Sequence, residues 1–239
     1  MGLFERDVTI ASSGLLKGFT DFHSHLLPGV DDGVQETSRA LEILALYEAL
    51  GITKVWLTPH IMEDVPNTTA HLRGRFAQFR EEYKGGIELR LASENMLDVL
   101  FEQRLAARDL LPVGESGTML LVETSYYNPP MGLDDILKQI IASGYHPLLA
   151  HPERYTYMDE DDYKRLHAMG VRMQVNLPSL IGGYGPEAKQ KAEWLINKRL
   201  VTHLGTDTHG LRMINMTAYR RELKKSTKRA IIRQQLMYK

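Results

Sequence analysis

The stretch FTDFHSHLLPGVDDG, residues 19–33, places a β-rich apolar run directly before a cluster of side chains that can bind metal ions. His23 and His25 form a His-x-His pair at the end of the run, and Asp31 and Asp32 follow after a short loop. So many ligand-type side chains behind one predicted strand are seldom a matter of chance. The stretch therefore raises the question of whether the other strands end in the same way.

Short β-rich runs recur along the whole chain. They lie at residues 18–23, 52–58, 88–93, 119–123, 147–151, 172–176 and 201–205. The segments between them show helical spacing of apolar residues, as in residues 38–51, where Gly51 is expected to cap a helix. Seven strand–helix units in series predict an α/β fold with a parallel sheet, and the economical closed form at this length is a TIM-like barrel. A doubly wound open sheet is the alternative.

Nearly every predicted strand ends at a possible metal ligand. The side chains at these ends are His23, His25, His60, Glu94, Glu123, His151, Asn176, Asp207 and His209. The C-terminal ends of parallel strands converge on one face of the sheet, so these groups are expected to meet. Five imidazoles and several carboxylates crowded together without a cation would be costly, which favours a metal site. The remaining histidines, expected to be structural, are His71, His146, His167 and His203.

The ligand types indicate which metals and which chemistry the site suits. The chain has no cysteine, which excludes disulfides, thiolate zinc sites and cysteine nucleophiles. Histidine with carboxylate suits Mn²⁺, Fe²⁺ or Zn²⁺. Nine candidate ligands are too many for one ion. Two or three ions fit better, and such sites serve in-line displacement at phosphorus.

Charge is distributed unevenly along the chain. The net charge is -1, and residues 212–239 carry nine Lys or Arg against one acid, which leaves about -9 on the rest. An acidic body argues against a nucleic-acid groove. The basic segment is expected to pack as a terminal helix through Met213, Ile214, Leu223, Ile231, Ile232 and Leu236, with Glu222 paired locally. The alternative is that it steers the protein to anionic inner-membrane lipid or an acidic partner.

The chain shows no linker, repeat or low-complexity stretch, so residues 1–239 are expected to form one domain, with the barrel at about 18–211. No apolar run is long enough to cross a membrane, and the charged start is unlike a secretory signal. A cytoplasmic location is the expectation.

Taken in order, the motifs resemble the polymerase and histidinol phosphatase (PHP) superfamily. Within it they are most similar to the bacterial manganese-dependent tyrosine-protein phosphatases of capsule and exopolysaccharide loci. The matching motifs, spread over residues 19–211, are DFHSHLLPGVDDG, TPH at 58–60, ASENMLD at 92–98, LVE at 121–123, AHPERY at 150–155, QVN at 174–176 and GTDTH at 205–209. The end of the chain resembles the family poorly. The resemblance implies a distorted (β/α)7 barrel with its metal site at the C-terminal strand ends.

The resemblance also implies roles for individual residues. It implies three ions, held by His23, His25, Glu94 and Asp207, by Glu94, Glu123 and His151, and by Asp32, His60 and His209. Asp31 is then expected beside the ligands or in solvent. Arg154 matches the phosphate-binding arginine of the family, with a surface pair to Glu153 as its alternative. Tyr126 and Tyr127 are candidates for a wall along the aryl ring of the substrate, or for simple packing.

The activity that the resemblance implies is hydrolysis of phosphotyrosine, on the tyrosine-rich tail of a bacterial autokinase that controls polysaccharide polymerisation and export. Two alternatives stay open. One is a phosphoesterase acting on a small molecule such as histidinol phosphate or on nucleic-acid ends. The other is a metal-binding interaction module without catalysis.

Overall fold

A computed structural model describes residues 7–236 of the chain. The strands are β1 (Val8–Thr9), β2 (Thr20–Ser24), β3 (Lys54–Leu57), β4 (His60–Ile61), β5 (Glu88–Leu91), β6 (Glu94–Met96), β7 (Met119–Glu123), β8 (His146–Ala150), β9 (Arg172–Asn176), β10 (Val201–Gly205) and β11 (Glu222–Leu223). All seven predicted strands are present. The short strands β1, β4, β6 and β11 were not predicted, because two or three residues give no readable alternation.

Helices follow most of the long strands. They are α1 (Ile10–Ser13), α2 (Thr37–Leu50), α3 (Thr69–Glu82), α4 (Val99–Ala107), α5 (Leu133–Ala142), α6 (Glu160–Ala168), α7 (Leu177–Leu180), α8 (Pro186–Asn197), α9 (Leu211–Asn215) and α10 (Lys225–Gln234), with a 3₁₀ turn at Pro152–Arg154 and a π-helical turn at Met216–Arg220. Gly51 ends α2 with a φ of 93° and donates its N–H to the last turn, which confirms the predicted cap.

The long strands form two parallel sheets, as the alternation predicts. One has six strands in the order β10-β9-β8-β7-β6-β4, and the other has the order β2-β3-β5. The predicted run 88–93 contributes β5 to the small sheet, and β6 follows directly in the large one. The sheets meet beyond the ends of β2 and β10, where the Asp207 N–H donates to the His23 carbonyl at 2.7 Å and the His25 N–H donates to Thr208 at 3.1 Å.

Apolar side chains fill two separate clusters. The larger one lies between strands and helices and includes fully buried residues such as Leu44, Tyr47 and Leu137. The smaller one draws on both sheets and comprises Phe22, Trp56, Ala92, Val113, Met119, Leu121, Leu148 and Ala150. Burying each large apolar side chain stabilises the fold by about 1.5–3 kcal/mol relative to exposure, so the two clusters fix how the strands are arranged.

The basic C-terminal segment differs from its prediction. It forms α9, the π-helical turn, β11 and α10 rather than one helix, and β11 pairs antiparallel with β1. Leu223 and Ile231 are buried as predicted, whereas Ile232 is 46% exposed. Glu222 has no ion pair within residues 7–236; it lies opposite Thr9 in the β1–β11 pair. The prediction of a single terminal helix is wrong because β11 pairs with β1, near the other end of the chain. Local periodicity cannot indicate such a distant pairing.

Ile214 and Leu236 are buried as well, and Met213 is partly buried. The expected single domain spans residues 1–239, of which 1–6 and 237–239 lie outside the described part. Within residues 7–236, no helix is both long and apolar enough to cross a membrane.

Candidate metal centre

The strand-end histidines and carboxylates come together in one cluster, which is buried except at Asp32 and His209. Four overlapping groups have ligand atoms within 4.8 Å of one another: His25, Asp32, His60 and His209; His23, His25 and Asp207; His23, Glu94 and His151; and His60, Glu94 and Glu123. All nine residues that the resemblance assigns as ligands therefore lie in this cluster. Asn176, a strand-end candidate, lies beside it.

Glu94 is at the centre of the cluster. Its Oε2 lies 2.9 Å from His23 Nε2 and 3.1 Å from His25 Nε2, and its Oε1 lies 3.1 Å from His151 Nε2. Burial alone would raise the pKa of this carboxyl, but the surrounding histidines outweigh burial and hold its pKa well below the usual range. Conversely, burial lowers the pKa of His23, while Glu94 and Asp207 outweigh it and raise the pKa to about 9. The carboxylates therefore stabilise positive charge in the middle of the cluster.

The loop between residues 25 and 33 orients His25. The Asp31 carboxylate is fully buried and accepts hydrogen bonds from His25 Nδ1 at 2.8 Å and from the His60 N–H at 3.0 Å. This leaves Nε2 of His25 directed into the cluster. Gly33 is required because a Cβ there would lie 2.3 Å from the His25 carbonyl oxygen. Asp31 thus sits beside a ligand candidate, and the alternative that it is solvated is wrong.

Two amide side chains orient the opposite side of the cluster. His23 Nδ1 donates to Gln174 Oε1 at 2.9 Å, and Gln174 Nε2 donates to Asn176 Oδ1 at 2.8 Å. Asn176 Nδ2 in turn donates to Asp207 Oδ2 at 2.8 Å. Such outer hydrogen bonds fix the tautomer and direction of metal-binding side chains. Asn176 therefore acts here as a partner of a ligand candidate.

Two ligand atoms of the cluster lack hydrogen-bond partners within residues 7–236. His60 Nδ1 and Glu123 Oε1 are buried and lie 3.0 Å apart without hydrogen-bond geometry. The ring nitrogens His23 Nε2 and His25 Nε2 lie 3.1 Å apart. Buried polar atoms are rarely left unpaired in a folded protein, and converging lone pairs repel one another. The donor set therefore fits divalent cations placed between these atoms.

Backbone conformation at two strand ends is unusual. His151 has a φ of 33° and Asp207 has a φ of 52°, although neither is glycine. A non-glycine residue held in this region costs about 1–3 kcal/mol, and Asp and His adopt it more readily than most residues. This conformation turns both side chains into the cluster, His151 directly after β8 and Asp207 two residues after β10.

Arg154 lies at the edge of the cluster. Its Nη1 donates to Asp207 Oδ2 at 2.9 Å, and its side chain is 20% exposed. Its neighbour Glu153 is buried and accepts hydrogen bonds from the Asn176 N–H and the Ser179 hydroxyl. The alternative of a surface pair between Arg154 and Glu153 is therefore wrong, because the two side chains bond to different partners.

Tyr126 and Tyr127 differ in their surroundings. The Tyr126 ring centroid lies 4.3 Å from Arg154 Cζ and 5.6 Å from the His151 ring. Tyr127 is 72% exposed. Both border a cavity of about 240 Å³ that is also lined by Arg154, Thr156, Tyr184, Glu153, Glu187 and Ala188. Tyr184 was not singled out from the sequence, since it follows no strand; the surrounding GGYGP was the one local sign of an unusual turn.

Two arginines of α3 and the four histidines expected to be structural are not part of the ligand groups. Arg73 and Arg75 are on α3, where Arg75 donates to the Pro28 carbonyl and the Thr37 hydroxyl. Arg75 therefore ties α3 to the loop at residue 28 and to the start of α2. His71, His146 and His167 are exposed, and His203 packs edge-on against Phe22 within β10. The four expected structural histidines thus stand apart from the candidate metal centre.

Two curated bacterial proteins that resemble this chain are named tyrosine-protein phosphatases. Tyrosine-protein phosphatase YwqE of Bacillus subtilis is 27% identical over 201 residues, which cover 82% of this chain and 79% of YwqE. Tyrosine-protein phosphatase CpsB of Streptococcus pneumoniae is 25% identical over 205 residues, covering 80% and 83%.

A solved structure shares the fold. It comes from a study of YwqE and CpsB as unique metal-dependent tyrosine phosphatases, and it superposes with a TM-score of 0.75 at 22% identity, covering 92% of this chain and 94% of that one. The profile of the family described as capsular polysaccharide synthesis, CpsB/CapC, matches residues 19–238. That match extends past residue 211, where the recognisable motifs end, and includes the C-terminal segment. The chain therefore belongs to the CpsB/CapC family of capsular polysaccharide synthesis.

Proposed function

We propose that this chain is a metal-dependent protein-tyrosine phosphatase that hydrolyses phosphotyrosine without a covalent cysteine intermediate. The observation that carries the proposal is the convergence of nine histidine and carboxylate side chains beside one arginine with a partly exposed guanidinium. Relatives named as tyrosine phosphatases cover most of the chain, which supports the substrate class. The absence of cysteine removes the thiol route.

The donor set suits Mn²⁺, with Fe²⁺ or Zn²⁺ as the alternatives, because it combines imidazole with carboxylate and lacks thiolate. We assign three ions to His23, His25, Glu94 and Asp207, to Glu94, Glu123 and His151, and to Asp32, His60 and His209. The third set is supported by Asp32 Oδ1, which lies 3.5 Å from both His60 Nε2 and His209 Nε2. When bound, such ions would lower the pKa of water toward about 7 and supply positive charge for phosphoryl transfer.

Arg154 is the residue proposed to bind the phosphoryl group. Its guanidinium uses one N–H on Asp207, and its other donors have no hydrogen-bond partner within residues 7–236. The planar fork matches two phosphoryl oxygens, where it would neutralise charge that develops during transfer. The leaving phenolate has a conjugate acid pKa near 10, so it needs less proton donation than an alkoxide. The site therefore favours aryl over alkyl phosphate esters.

Tyr126 and Tyr127 are proposed to line the path of the aryl ring. Both border the 240 Å³ cavity beside Arg154, and Tyr127 presents an exposed ring. Aromatic rings bind one another in offset or edge-on contacts, so this wall would favour a phosphotyrosine side chain. The physiological substrate is proposed to be the tyrosine-rich tail of an autokinase.

The fold that supports this site is proposed to be one distorted (β/α)7 barrel of the PHP type in a single domain. Two observations support closure: backbone hydrogen bonds join the ends of β2 and β10, and the smaller apolar cluster draws on strands of both sheets. The cytoplasmic location stays a prediction. Contact of the basic C-terminal segment with membrane lipid or an acidic partner also stays a prediction.

One assay panel tests the function. Purified protein is incubated with a phosphotyrosine peptide, histidinol phosphate or an oligonucleotide carrying a terminal phosphate, with and without Mn²⁺. We expect Mn²⁺-dependent release of phosphate from the peptide at a kcat/KM well above that for the other two. A preference for histidinol phosphate or the oligonucleotide would instead indicate one of the alternative phosphoesterases. No turnover of any substrate by metal-loaded protein would indicate the non-catalytic module.

A further inference from the structure

The guanidinium of Arg154 lies over two tyrosine rings. Its Cζ atom is 4.3 Å from the Tyr126 centroid and 4.1 Å from the Tyr184 centroid. At these distances a cation is attracted to the face of each ring. The N–H donors lie in the plane of the guanidinium and point outward from its edges. One of these donors, on Nη1, already binds Asp207, which leaves the other N–H groups for a ligand.

Tyr184 reaches this position on a glycine-rich turn between α7 and α8. Gly182 and Gly185 have φ values of 74° and 97°, and a Cβ on Gly183 would lie 2.9 Å from the Pro178 carbonyl oxygen. Arg221 donates to the carbonyl of Gly182. The hydrogen bond from Arg221 therefore holds the turn on one side. The three glycines occupy positions where a side chain would be strained or would clash with the backbone.

The start of the same segment is tied to the neighbour of Arg154. Glu153 Oε1 accepts hydrogen bonds from the Asn176 N–H at 2.9 Å and from the Ser179 hydroxyl at 2.6 Å. Glu153, which directly precedes Arg154, thus anchors the segment that carries Tyr184. This arrangement sets the distance between Arg154 and Tyr184 through a buried contact.

We infer that Tyr184, together with Tyr126, is a positioning residue that holds Arg154 so that its free N–H edge faces the phosphoryl group. The inference rests on the proposed function for the identity of that group. Tyr184 acts through the arginine, and its ring is the part that matters. Its hydroxyl donates a 3.3 Å hydrogen bond to Asp207 Oδ2, which is longer than the 2.9 Å and 2.8 Å bonds that this oxygen accepts from Arg154 and Asn176.

The test compares Tyr184→Leu, which removes the aromatic face, with Tyr184→Phe, which removes only the hydroxyl. Tyr219→Leu is the matched control, because Tyr219 is 47% exposed on the π-helical turn. Each full-length protein is loaded with Mn²⁺, and its metal content is checked by elemental analysis. For the leucine variant we expect kcat/KM on a phosphotyrosine peptide to fall about 3- to 30-fold with metal content unchanged. The phenylalanine and control variants should keep wild-type values.

A second readout does not depend on activity. NMR relaxation of the Arg154 Nε–Hε group, assigned by its disappearance in Arg154→Lys, reports how rigid the guanidinium is in the metal-free protein. We expect it to be rigid in wild type and Tyr184→Phe and mobile in Tyr184→Leu. A rigid Arg154 in Tyr184→Leu would overturn the inference. So would equal loss of activity in the phenylalanine and leucine variants, or loss of metal from Tyr184→Leu. If wild type hydrolyses no phosphotyrosine, the proposed function fails, while the relaxation data still decide the role of Tyr184.

Discussion

Arg154 Nη1 donates a 2.9 Å hydrogen bond to Oδ2 of Asp207, so the side chain proposed to bind phosphate is held by a side chain proposed to bind metal. Asp207 Oδ1 is left facing His23 and His25, at 3.5 Å and 3.4 Å from their Nε2 atoms. The Asp207 carboxylate thus contacts both the arginine proposed to bind phosphate and two histidines proposed to bind metal. Asn176 also donates to Oδ2 of Asp207, so changes at Arg154 should affect turnover and leave Asp207 in place.

Replacing Arg154 should reduce turnover and spare metal binding. Arg154→Ala removes one charged contact to the transition state, and losing such a donor costs about 10²- to 10³-fold in kcat. Arg154→Lys keeps the charge and loses the planar fork, so its kcat should fall between alanine and wild type. Steady-state kinetics with metal analysis on each variant checks this. Wild-type kcat in Arg154→Ala would remove the arginine from the proposed mechanism.

Replacing Glu94 should be more damaging, because this carboxylate contacts candidate ligands of more than one ion. In Glu94→Ala we expect loss of bound metal and no measurable turnover. The exposed Glu81 provides the matched control, so Glu81→Ala should keep both. Elemental analysis and circular dichroism separate metal loss from unfolding. A folded Glu94→Ala protein that retained both metal and rate would show that our ligand assignment is wrong.

Removing the metal should abolish activity reversibly. Exhaustive chelation should leave protein that hydrolyses no phosphotyrosine, and added Mn²⁺ should restore the rate. An alkylating reagent specific for thiols should have no effect, since the chain contains no cysteine. Full activity in a sample shown by elemental analysis to be metal-free would contradict the mechanism.

The sequence predicted the strand positions well because each long strand combines β-rich composition with a helix after it, and both signals are local. The ligand candidates were found for the same reason, since they stand directly at the ends of those strands. Tyr184 and the β1–β11 pair could not be found in this way. Their partners, Arg154 for Tyr184 and β11 for β1, are distant in sequence, and nothing in the local pattern encodes such a contact.

Asp31 should be needed for tight metal binding although it is not a proposed ligand. Its hydrogen bond from His25 Nδ1 outweighs the effect of burial and lowers its pKa to about 2, so it is ionised at neutral pH. In Asp31→Asn the amide would orient His25 less well, and losing such an outer partner costs about 10- to 100-fold in metal affinity. Calorimetric titration with Mn²⁺ checks this, with the exposed Asp64→Asn as control. Equal affinities in the two variants would show that His25 is oriented without Asp31.

The basic C-terminal segment offers a last test, in which packing and electrostatic steering give different salt responses. Lys224 pairs with Glu193 at 2.7 Å, so it belongs to the packing and is left unchanged. Arg220, Lys228 and Arg233 have no ion pair within residues 7–236. Changing all three to Gln therefore removes positive charge without breaking an ion pair.

If these cations steer an anionic partner, the triple variant should turn over an intact membrane-associated kinase substrate more slowly than wild type at low salt. The difference should disappear at high salt, because charges at about 0.1 M salt are screened over about 10 Å. A short phosphotyrosine peptide should be hydrolysed equally by both proteins throughout, since it lacks the extended anionic surface of a membrane-associated kinase. If both proteins act equally on the kinase at every salt concentration, steering is excluded. The segment would then serve the fold alone, through the buried side chains of Leu223 and Ile231.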